Sequence, residues 1–406
     1  MTTIDTDVCV VGGGPAGLTL ALLLARSGVR VAVVERTASL ERPYRGEILQ
    51  PGGQALLAEL GVLDGARARG CHEHSRFRFV DRGRVLLDID YRTLPAPFNC
   101  LLSVPQRHLL AELQAACGRY EVTLLAGHKV SDLVRDGARI TGVLATGPDG
   151  VRQIRARCVV GADGRYSKTR RLAGIDNDRL DVFDHDVLWF RIPDREGPGS
   201  PEVRIHRGGG NPVLEYRSFP DQVQLGWTLP HHGYRALAAR GVDHVRAELT
   251  RAIPQYGDLI DKHVTALSDL TLLDVFAATA RSWTADGLVL IGDAAHTHSP
   301  IGAQGINLAV QDAVALHPVL VDALRSGNTD AAALDRFAAP RRPDIDRVLR
   351  TQVLQSRAML AGNRVLDAVR PRVARLLAHT PVYRKVLRHI AYGNPAIRLR
   401  TDLFVR

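Results

Sequence analysis

Short apolar runs alternate with glycine-containing turns at the start of the chain. Residues 8–11 are continuously apolar, a pattern typical of a strand that is buried on both faces. They lead through the turn Gly12-x-Gly14-x-x-Gly17 into residues 18–25, an apolar stretch of helical length. After the helix-stop pair Ser27-Gly28, residues 29–34 are again apolar except for Arg30. The pattern therefore predicts a strand, a glycine turn, a helix and a second strand.

The glycine turn has the features of a phosphate-binding loop. Glycines allow a tight turn and a close approach of the backbone to a pyrophosphate, and the helix that begins at Pro15 and Ala16 offers free N–H groups from Ala16 onwards, with a partial positive charge at its N-terminus. The second strand ends in Glu35 and Arg36, and Glu35 lies 18 residues after Gly17, about where an acidic side chain binds an adenosine ribose. This unit is predicted to bind a dinucleotide with a free ribose.

Two further strand-and-turn motifs follow at a distance. The first is the strand-like stretch 157–160, followed by the turn Gly161-Ala-Asp163-Gly164. The second is the strand-like stretch 287–291, followed by the turn Gly292-Asp293. After the second motif come the loop Pro300-Ile-Gly302-Ala-Gln-Gly305-Ile306-Asn307 and a helical pattern over 308–316. A carboxylate such as Asp293, between a buried strand and a helix, suits a sugar hydroxyl. The loop from Pro300 can bring its backbone close to a flat ring, and the helix start favours negative charge there.

The three motifs, in this order, resemble those of the group A flavoprotein monooxygenases, the p-hydroxybenzoate hydroxylase-like family, over the first three quarters of the chain. The resemblance implies non-covalently bound FAD with its pyrophosphate on the glycine turn. It implies that Asp163 contributes to flavin and nicotinamide binding and that Asp293 holds the flavin-side ribose. It also implies an Arg and a Gln that line the FAD, which we expect at Arg45 and Gln106.

The resemblance further implies the reaction. NADPH or NADH reduces the flavin, O2 adds at flavin C4a, and the C4a-hydroperoxyflavin transfers one oxygen atom to an electron-rich aromatic or quinone-like substrate, as in secondary metabolism. The cofactor performs the difficult step, so no catalytic residue is assigned. The chain has no second Gly-x-Gly-x-x-Gly in a strand context, and the nicotinamide is therefore expected to bind transiently. The alternatives are an FAD-dependent dehydrogenase or reductase and a non-catalytic flavin-binding protein.

The order of elements predicts an α/β fold with an inserted sheet. Residues 187–229 contain successive strand-like segments separated by turn clusters, which indicates an antiparallel sheet, and 236–253 is predicted as one helix. We expect a Rossmann-like FAD-binding domain of the glutathione-reductase type, a substrate-binding sheet domain inserted in it, and C-terminal helices. The expected domain bounds are 1–75, 100–180 and 277–345 for FAD, 76–99 and 181–276 for substrate, and 346–406 for a basic helical region.

An inserted sheet of this kind can face the flavin ring, because pockets collect where domains meet. A small-molecule substrate is therefore expected against the sheet, although packing within the sheet is the alternative for each candidate side chain. The candidates for substrate contact are Trp189, Arg191, His206, Tyr216, Arg217 and Trp227.

The composition of the chain indicates the cellular compartment of the protein, the state of its cysteines and whether it binds a metal. No leader pattern precedes the first strand, and no apolar run approaches the roughly 20 residues of a membrane-spanning helix, so we expect a cytoplasmic protein. The five cysteines are scattered and are interpreted as reduced core residues. His296 and His298 lack a nearby carboxylate or cysteine that would complete a metal site, and no metal is predicted.

The positive charge is concentrated at the C-terminal end. The net charge is +10, and residues 340–406 contain 14 Arg and one Lys against four Asp, an excess of 11, which leaves −1 for the remainder. A solvated helical surface is the favoured interpretation, and contact with an anionic membrane surface or a partner protein is the alternative. Nucleic acid is disfavoured, because aromatic residues are only 5% of the chain and no nucleic-acid module is visible. The pattern does not predict the oligomeric state.

Overall fold

The computed structural model describes residues 2–41, 46–194, 201–208, 211–360 and 380–405. The strands are β1 (Thr2–Val11), β2 (Val31–Glu35), β3 (Ile48–Leu49), β4 (His72–His74), β5 (Arg76–Asp81), β6 (Arg84–Asp90), β7 (Leu101–Ser103), β8 (Val122–Ala126), β9 (Lys129–Asp136), β10 (Arg139–Gly147), β11 (Gly150–Gly161), β12 (Asn177–Leu180), β13 (His185–Pro193), β14 (Glu202–Arg207), β15 (Val213–Ser218), β16 (Gln222–Pro230), β17 (Thr271–Leu273), β18 (Ala277–Ala280), β19 (Thr284–Ala285), β20 (Leu288–Leu290) and β21 (His296–Thr297).

The helices are numbered in the same way. They are α1 (Pro15–Arg26), α2 (Pro51–Glu59), α3 (Leu63–Ala68), α4 (Gln106–Cys117), α5 (Lys168–Leu172), α6 (Tyr234–Ala238), α7 (Val242–Ala252), α8 (Gly257–His263), α9 (Gly305–Ser326), α10 (Ala331–Leu360) and α11 (Pro381–Tyr392).

The central sheet has the strand order β19-β20-β11-β1-β2-β8. Strands β20, β11, β1, β2 and β8 run parallel, and β9 and β10 extend β11 as an antiparallel hairpin. The C-terminal end of β1, residues 8–11, is buried, and α1 packs against both α4 and α9. Burial on both faces explains the continuous apolar runs of these strands. The predicted α/β fold with strand, glycine turn, helix and strand is confirmed.

A second sheet has the order β17-β13-β16-β15-β14-β5-β6. Its neighbours are antiparallel except β14 and β5, which run parallel. One face forms a core with α7 and α8 that includes Leu188 and Trp227. The opposite face, with Trp189 and Tyr216, packs against Ile48 of β3. The predicted antiparallel sheet is therefore present, inserted between segments of the central α/β layer.

The single helix predicted over 236–253 is interrupted. The chain forms α6 and α7 with a turn between them, and Gly241 in this turn has φ +87°. A positive φ ends an α-helix and is readily adopted by glycine, so the interruption follows from the backbone conformation at one residue.

The C-terminal part is helical. Helix α10 packs against α9, and α11 packs against α2. A Cβ placed on Gly52 of α2 would lie 2.6 Å from the Tyr392 carbonyl oxygen, so this close approach requires glycine. All five cysteines are free thiols. In the part of the chain that the structure describes, we find no helix with both the length and the apolar character needed to span a membrane.

Candidate active site

The glycine turn after β1 has the geometry of a phosphate cradle. Gly12 has φ +112°, and a Cβ there would lie 2.3 Å from the Ala162 carbonyl oxygen; a Cβ on Gly17 would lie 2.0 Å from the Gly12 carbonyl oxygen. Among the described residues, no side chain caps the N-terminus of α1 at Gly14, and a Cβ on Gly14 would have none of their atoms within 4 Å. The first N–H groups of α1 therefore face open space, as pyrophosphate binding requires.

Glu35 lies directly beside this turn. Its Oε2 accepts a hydrogen bond from the Gly13 N–H at 2.7 Å, and its Oε1 accepts from the Thr37 N–H at 2.9 Å and the Thr37 hydroxyl at 2.6 Å. The carboxylate is buried, whereas Arg36 is exposed. Thr37, which the sequence pattern did not single out, therefore fixes the acidic side chain at the end of β2.

Asp163 follows β11 and caps α5. Its Oδ1 accepts from the Ser167 hydroxyl at 2.5 Å, and its Oδ2 accepts from the Lys168 N–H at 2.9 Å and from the Thr169 N–H and hydroxyl at 3.0 Å each. The segment lies against the glycine turn, because a Cβ on Gly12 would also lie 2.9 Å from the Asp163 nitrogen. The carboxylate is thus engaged in a helix cap next to the cradle.

The Gly292-Asp293 motif lies at the same edge of the central sheet. Gly292 has φ +58°, and a Cβ there would contact the Ala16 Cβ at 3.4 Å, so the motif packs on the first turn of α1. The Asp293 side chain is 31% exposed, and its Oδ2 lies 3.7 Å from Arg165 Nε. Asp293 therefore presents a carboxylate beside the cradle.

A buried polar network contacts the backbone of the Gly292-Asp293 motif. Asp312 is fully buried and accepts hydrogen bonds from the Gly292 N–H at 2.8 Å and Arg341 Nε at 2.8 Å. Its Oδ2 also lies 2.7 Å from His296 Nε2, and His296 Nδ1 lies 2.7 Å from His298 Nε2. Burial alone would raise the pKa of Asp312, but the charges of His296 and Arg341 hold that pKa below its ordinary value. Burial lowers the pKa of His298.

The loop before α9 is held to the segment that follows β3. Gln50 donates from its N–H to Asn307 Oδ1 at 2.9 Å and from Nε2 to the Gly302 carbonyl oxygen at 2.9 Å, and Asn307 Nδ2 donates to the Ala303 carbonyl oxygen at 2.7 Å. Gly302 and Ala303 have φ +76° and +50°. Since the Asn307 side chain is turned inward, the loop backbone is the part available to a flat ring. Pro300 is partly exposed and Ile306 is buried.

A cavity of about 360 Å³ separates the start of α4 from the second sheet. It brings Gln106, whose Nε2 donates to the Gly46 carbonyl oxygen at 3.4 Å, to the same space as Trp189 and Arg191. The lining residues are Leu40, Glu41, Glu47, Pro105, Gln106, Arg107, Trp189, Phe190, Arg191, Gln224, His263, Asp269 and Thr271.

The other predicted substrate residues are not among the lining residues. His206 Nε2 pairs with Glu215 Oε2 at 2.8 Å, and Arg217 Nε pairs with Asp194 Oδ2 at 2.6 Å. Tyr216 is buried on the same sheet face as Trp189. Trp227 is buried on the opposite face, against α7 and α8. Arg45 lies outside the described residues.

The cavity also contains an ion pair that the sequence pattern did not indicate. Arg191 Nη2 lies 2.9 Å from Glu47 Oε2, and Arg191 Nε donates to Gln224 Oε1 at 2.6 Å. Glu47 is 1% exposed. Glu47 and Arg191 are 144 residues apart in the chain, so no local pattern could have paired them.

The comparisons with known proteins agree with this geometry. The family model described as "FAD binding domain" matches residues 5–352, and the chain belongs to this FAD-binding family. Free N–H groups at the start of α1 and the exposed Asp293 carboxylate fit an FAD.

Individual relatives indicate which class of enzyme within the FAD-binding family the chain resembles. The chain is 60% identical to "6-methylpretetramide 4-monooxygenase" of Streptomyces rimosus, over 98% of this chain and 95% of that one. It is similar to the structure of an anhydrotetracycline hydroxylase from Streptomyces rimosus, with 27% identity, a TM-score of 0.77 and coverage of 96% and 76% of the two chains. The fold also matches p-nitrophenol 4-monooxygenase from Pseudomonas putida DLL-E4, with 21% identity, a TM-score of 0.81 and coverage of 97% and 100%.

The predicted enzyme class is therefore confirmed. The protein is an FAD-dependent monooxygenase of the aromatic hydroxylase type, with NAD(P)H and O2 as co-substrates and a small molecule as substrate. The dehydrogenase and non-catalytic alternatives are not favoured.

Proposed function

We propose that this enzyme hydroxylates 6-methylpretetramide or a close chemical relative of it, with NADPH or NADH and O2 as co-substrates. The observation that carries the proposal is the 60% identity to the Streptomyces rimosus 6-methylpretetramide 4-monooxygenase over nearly the whole of both chains. The cavity supports an aromatic substrate, because it combines the Trp189 ring with the polar side chains of Arg191 and Gln224.

Bound FAD supplies the redox chemistry and the activation of O2, and the protein supplies its binding and orientation. We propose that the pyrophosphate lies on the free N–H groups of α1, that Glu35 holds the adenosine ribose and that Asp293 holds the flavin-side ribose. The flavin ring is proposed to lie against the backbone of the loop before α9. The proposed cofactor residues are Gly12, Gly14, Pro15, Ala16, Gly17, Glu35, Arg36, Arg45, Gln106, Asp163, Gly292, Asp293, Pro300, Gly302, Gly305, Ile306 and Asn307.

The same proposal assigns one set of segments to FAD binding and another to the substrate cavity. Residues 1–75, 100–180 and 277–345 are proposed to hold FAD, and residues 76–99 and 181–276 to close the substrate cavity. Among the candidates, Trp189 and Arg191 line the cavity, which supports their contact with substrate over that of His206, Tyr216, Arg217 and Trp227.

The test is oxygen-18 incorporation. The purified enzyme, reconstituted with FAD, is given NADPH, ¹⁸O2 and 6-methylpretetramide, and the product is analysed by mass spectrometry. We expect a product that carries one ¹⁸O atom and NADPH oxidation that is faster with substrate than without it. NADPH oxidation that yields hydrogen peroxide and no labelled product would contradict the proposed substrate.

A further inference from the structure

A buried carboxylate forms part of the cavity wall beside Gln106. Glu47 lines the cavity although only 1% of its surface is exposed. Its Oε2 is paired with Arg191 Nη2 at 2.9 Å, whereas its buried Oε1 has no partner with full hydrogen-bond geometry among the described residues, although the hydroxyls of Ser218 and Tyr216 lie close enough to the carboxylate to affect it. An unpaired buried acceptor is costly, so a hydrogen-bond donor that enters the cavity would be favoured at this atom.

The partner of Glu47 is held rigidly. Arg191 on β13 and Gln224 on β16 are directly opposite residues, and Arg191 Nε donates to Gln224 Oε1 at 2.6 Å. Gln224 Nε2 in turn donates to the Phe190 carbonyl oxygen at 2.9 Å. Because two strands fix the guanidinium, the carboxylate and a cation lie together in one defined place.

The surroundings of Glu47 strengthen its attraction for a proton. Burial raises the pKa of Glu47, opposed by the charge of Arg191, by the neighbouring hydroxyls of Ser218 and Tyr216 and by the charge of Arg107. The other titratable groups that line the cavity are Glu41, His263 and Asp269. A carboxylate in this setting accepts a proton more readily than one in water.

We propose that Glu47 is a catalytic residue, the general base that accepts the proton of a phenolic hydroxyl on the substrate, and that Arg191 stabilises the oxygen that loses this proton. The assignment rests on the proposed function, because it assumes that an aromatic substrate occupies this cavity. The proposed role requires a substrate with a phenolic hydroxyl. That hydroxyl must donate a hydrogen bond to Glu47 Oε1.

The proton and electron balance is simple. The phenolic O–H bond breaks and its electron pair moves towards the ring, as a ring carbon takes up the oxygen atom that the established activity supplies from O2. The proton bonds to Glu47 Oε1, while Arg191 remains charged beside the former phenolic oxygen. When the ring carbon loses its hydrogen to water as a proton, Glu47 returns its own proton to that oxygen and the aromatic ring is restored.

The test compares Glu47→Gln with Glu248→Gln in the FAD-loaded enzyme, with 6-methylpretetramide as the probe. Glu248 lies on α7, where it pairs with Arg251 at 2.6 Å, and the same chemical change there should have no effect. The measurements are kcat and KM from about pH 6 to about pH 9, below the pKa of about 10 of a simple phenol, and binding of the probe to the oxidised enzyme without NADPH.

We expect kcat of Glu47→Gln to fall roughly hundredfold near neutral pH, with binding of the probe changed less than about tenfold. The deficit should shrink as pH rises, because the phenol then ionises without a base. A Glu47→Gln kcat within about threefold of the wild type, or a deficit that is the same at every pH, would overturn the assignment.

Two controls distinguish loss of the base from loss of FAD, and failure of the Glu47 assignment from failure of the proposed function. If Glu47→Gln does not retain FAD, Glu47→Asp is used, and the same criterion applies: a deficit that shrinks with pH supports the assignment and a constant one overturns it. If the wild type and Glu248→Gln both fail to hydroxylate 6-methylpretetramide, the proposed function fails, and the Glu47 assignment fails with it. A wild type that hydroxylates the probe beside an unimpaired Glu47→Gln would reject the base alone.

Discussion

Arg165 Nε lies 3.7 Å from Asp293 Oδ2, although the two residues are 128 positions apart in the chain. Arg165 follows β11 and Asp293 follows β20, and these strands are parallel neighbours. Arg165 Nη1 also donates to the Asp274 carbonyl oxygen at 3.0 Å. The contact therefore joins the Asp-Gly and Gly-Asp motifs at the edge of the central sheet where FAD is proposed to lie.

Asp293→Ala is expected to reduce FAD affinity by roughly tenfold to a hundredfold, because a charged hydrogen bond to a ribose hydroxyl is worth about 1.5–3 kcal/mol. The measurement is the titration of apoprotein with FAD, followed by flavin fluorescence. Asp335→Ala, at an exposed position on α10, serves as the control. An Asp293→Ala protein that binds FAD as tightly as Asp335→Ala would show that the carboxylate does not contact the cofactor.

Gly14→Ala tests the phosphate cradle without disturbing the fold. The added Cβ would meet no atom of the described residues within 4 Å, so the free energy of unfolding of the apoprotein should change by less than about 1 kcal/mol. The methyl group would enter the space proposed for the pyrophosphate, and FAD affinity should fall about tenfold or more. Gly118→Ala at the end of α4, where a Cβ meets only ordinary contacts of 3.5 and 3.6 Å, should bind FAD normally. Equal FAD affinity in the two variants would contradict the cradle.

Acidification should destabilise the protein through buried histidines. Burial lowers the pKa of His74 and of His317 to about 4, from the ordinary 6.5. Between these values the unfolded chain binds protons that the folded chain does not, so stability is present above about pH 6.5 and is lost as pH falls towards about 4. For each residue the loss between about pH 7.5 and about pH 5 is about 2 kcal/mol.

The check is urea unfolding of His317→Gln at these two pH values, with His244→Gln on α7 as the control. His317 Nε2 lies 2.7 Å from the Ser27 hydroxyl oxygen, so the substitution lowers stability at both pH values, but it should reduce the pH-dependent loss by about 2 kcal/mol. A pH dependence that is unchanged from wild type would exclude His317 as a contributor.

The basic C-terminal end of the chain, residues 340–406, is expected to remain in water. Several of its arginines are paired within the protein, as Arg341 is with Asp312 at 2.8 Å and Arg400 with Asp402 at 2.8 Å, which reduces the charge available to lipids. We expect the enzyme to stay in the supernatant when it is centrifuged with phosphatidylserine vesicles at low salt, as it does with phosphatidylcholine vesicles. Sedimentation with the anionic vesicles alone would instead support membrane contact. Residues 361–379 lie outside the described part of this region.

The cofactor-binding layer could be predicted from the sequence because its constraints are local. Gly12 needs a positive φ and a close approach to Ala162, and buried parallel strands require continuous apolar runs. These requirements appear directly as residue types at fixed spacings. The split between α6 and α7 is also local, but the helical pattern around Gly241 obscured it.

The arrangement of the cavity was decided by the tertiary structure. Trp189 and Trp227 are both aromatic residues of the second sheet, yet strand register directs one to the cavity side and the other into the core with α7 and α8. Glu47 and Arg191 pair only because β13 of the inserted sheet packs beside the segment before β3. The local pattern therefore determined the fold class and the cradle, whereas the charges that face the substrate depend on register and packing between distant segments, which no local spacing encodes.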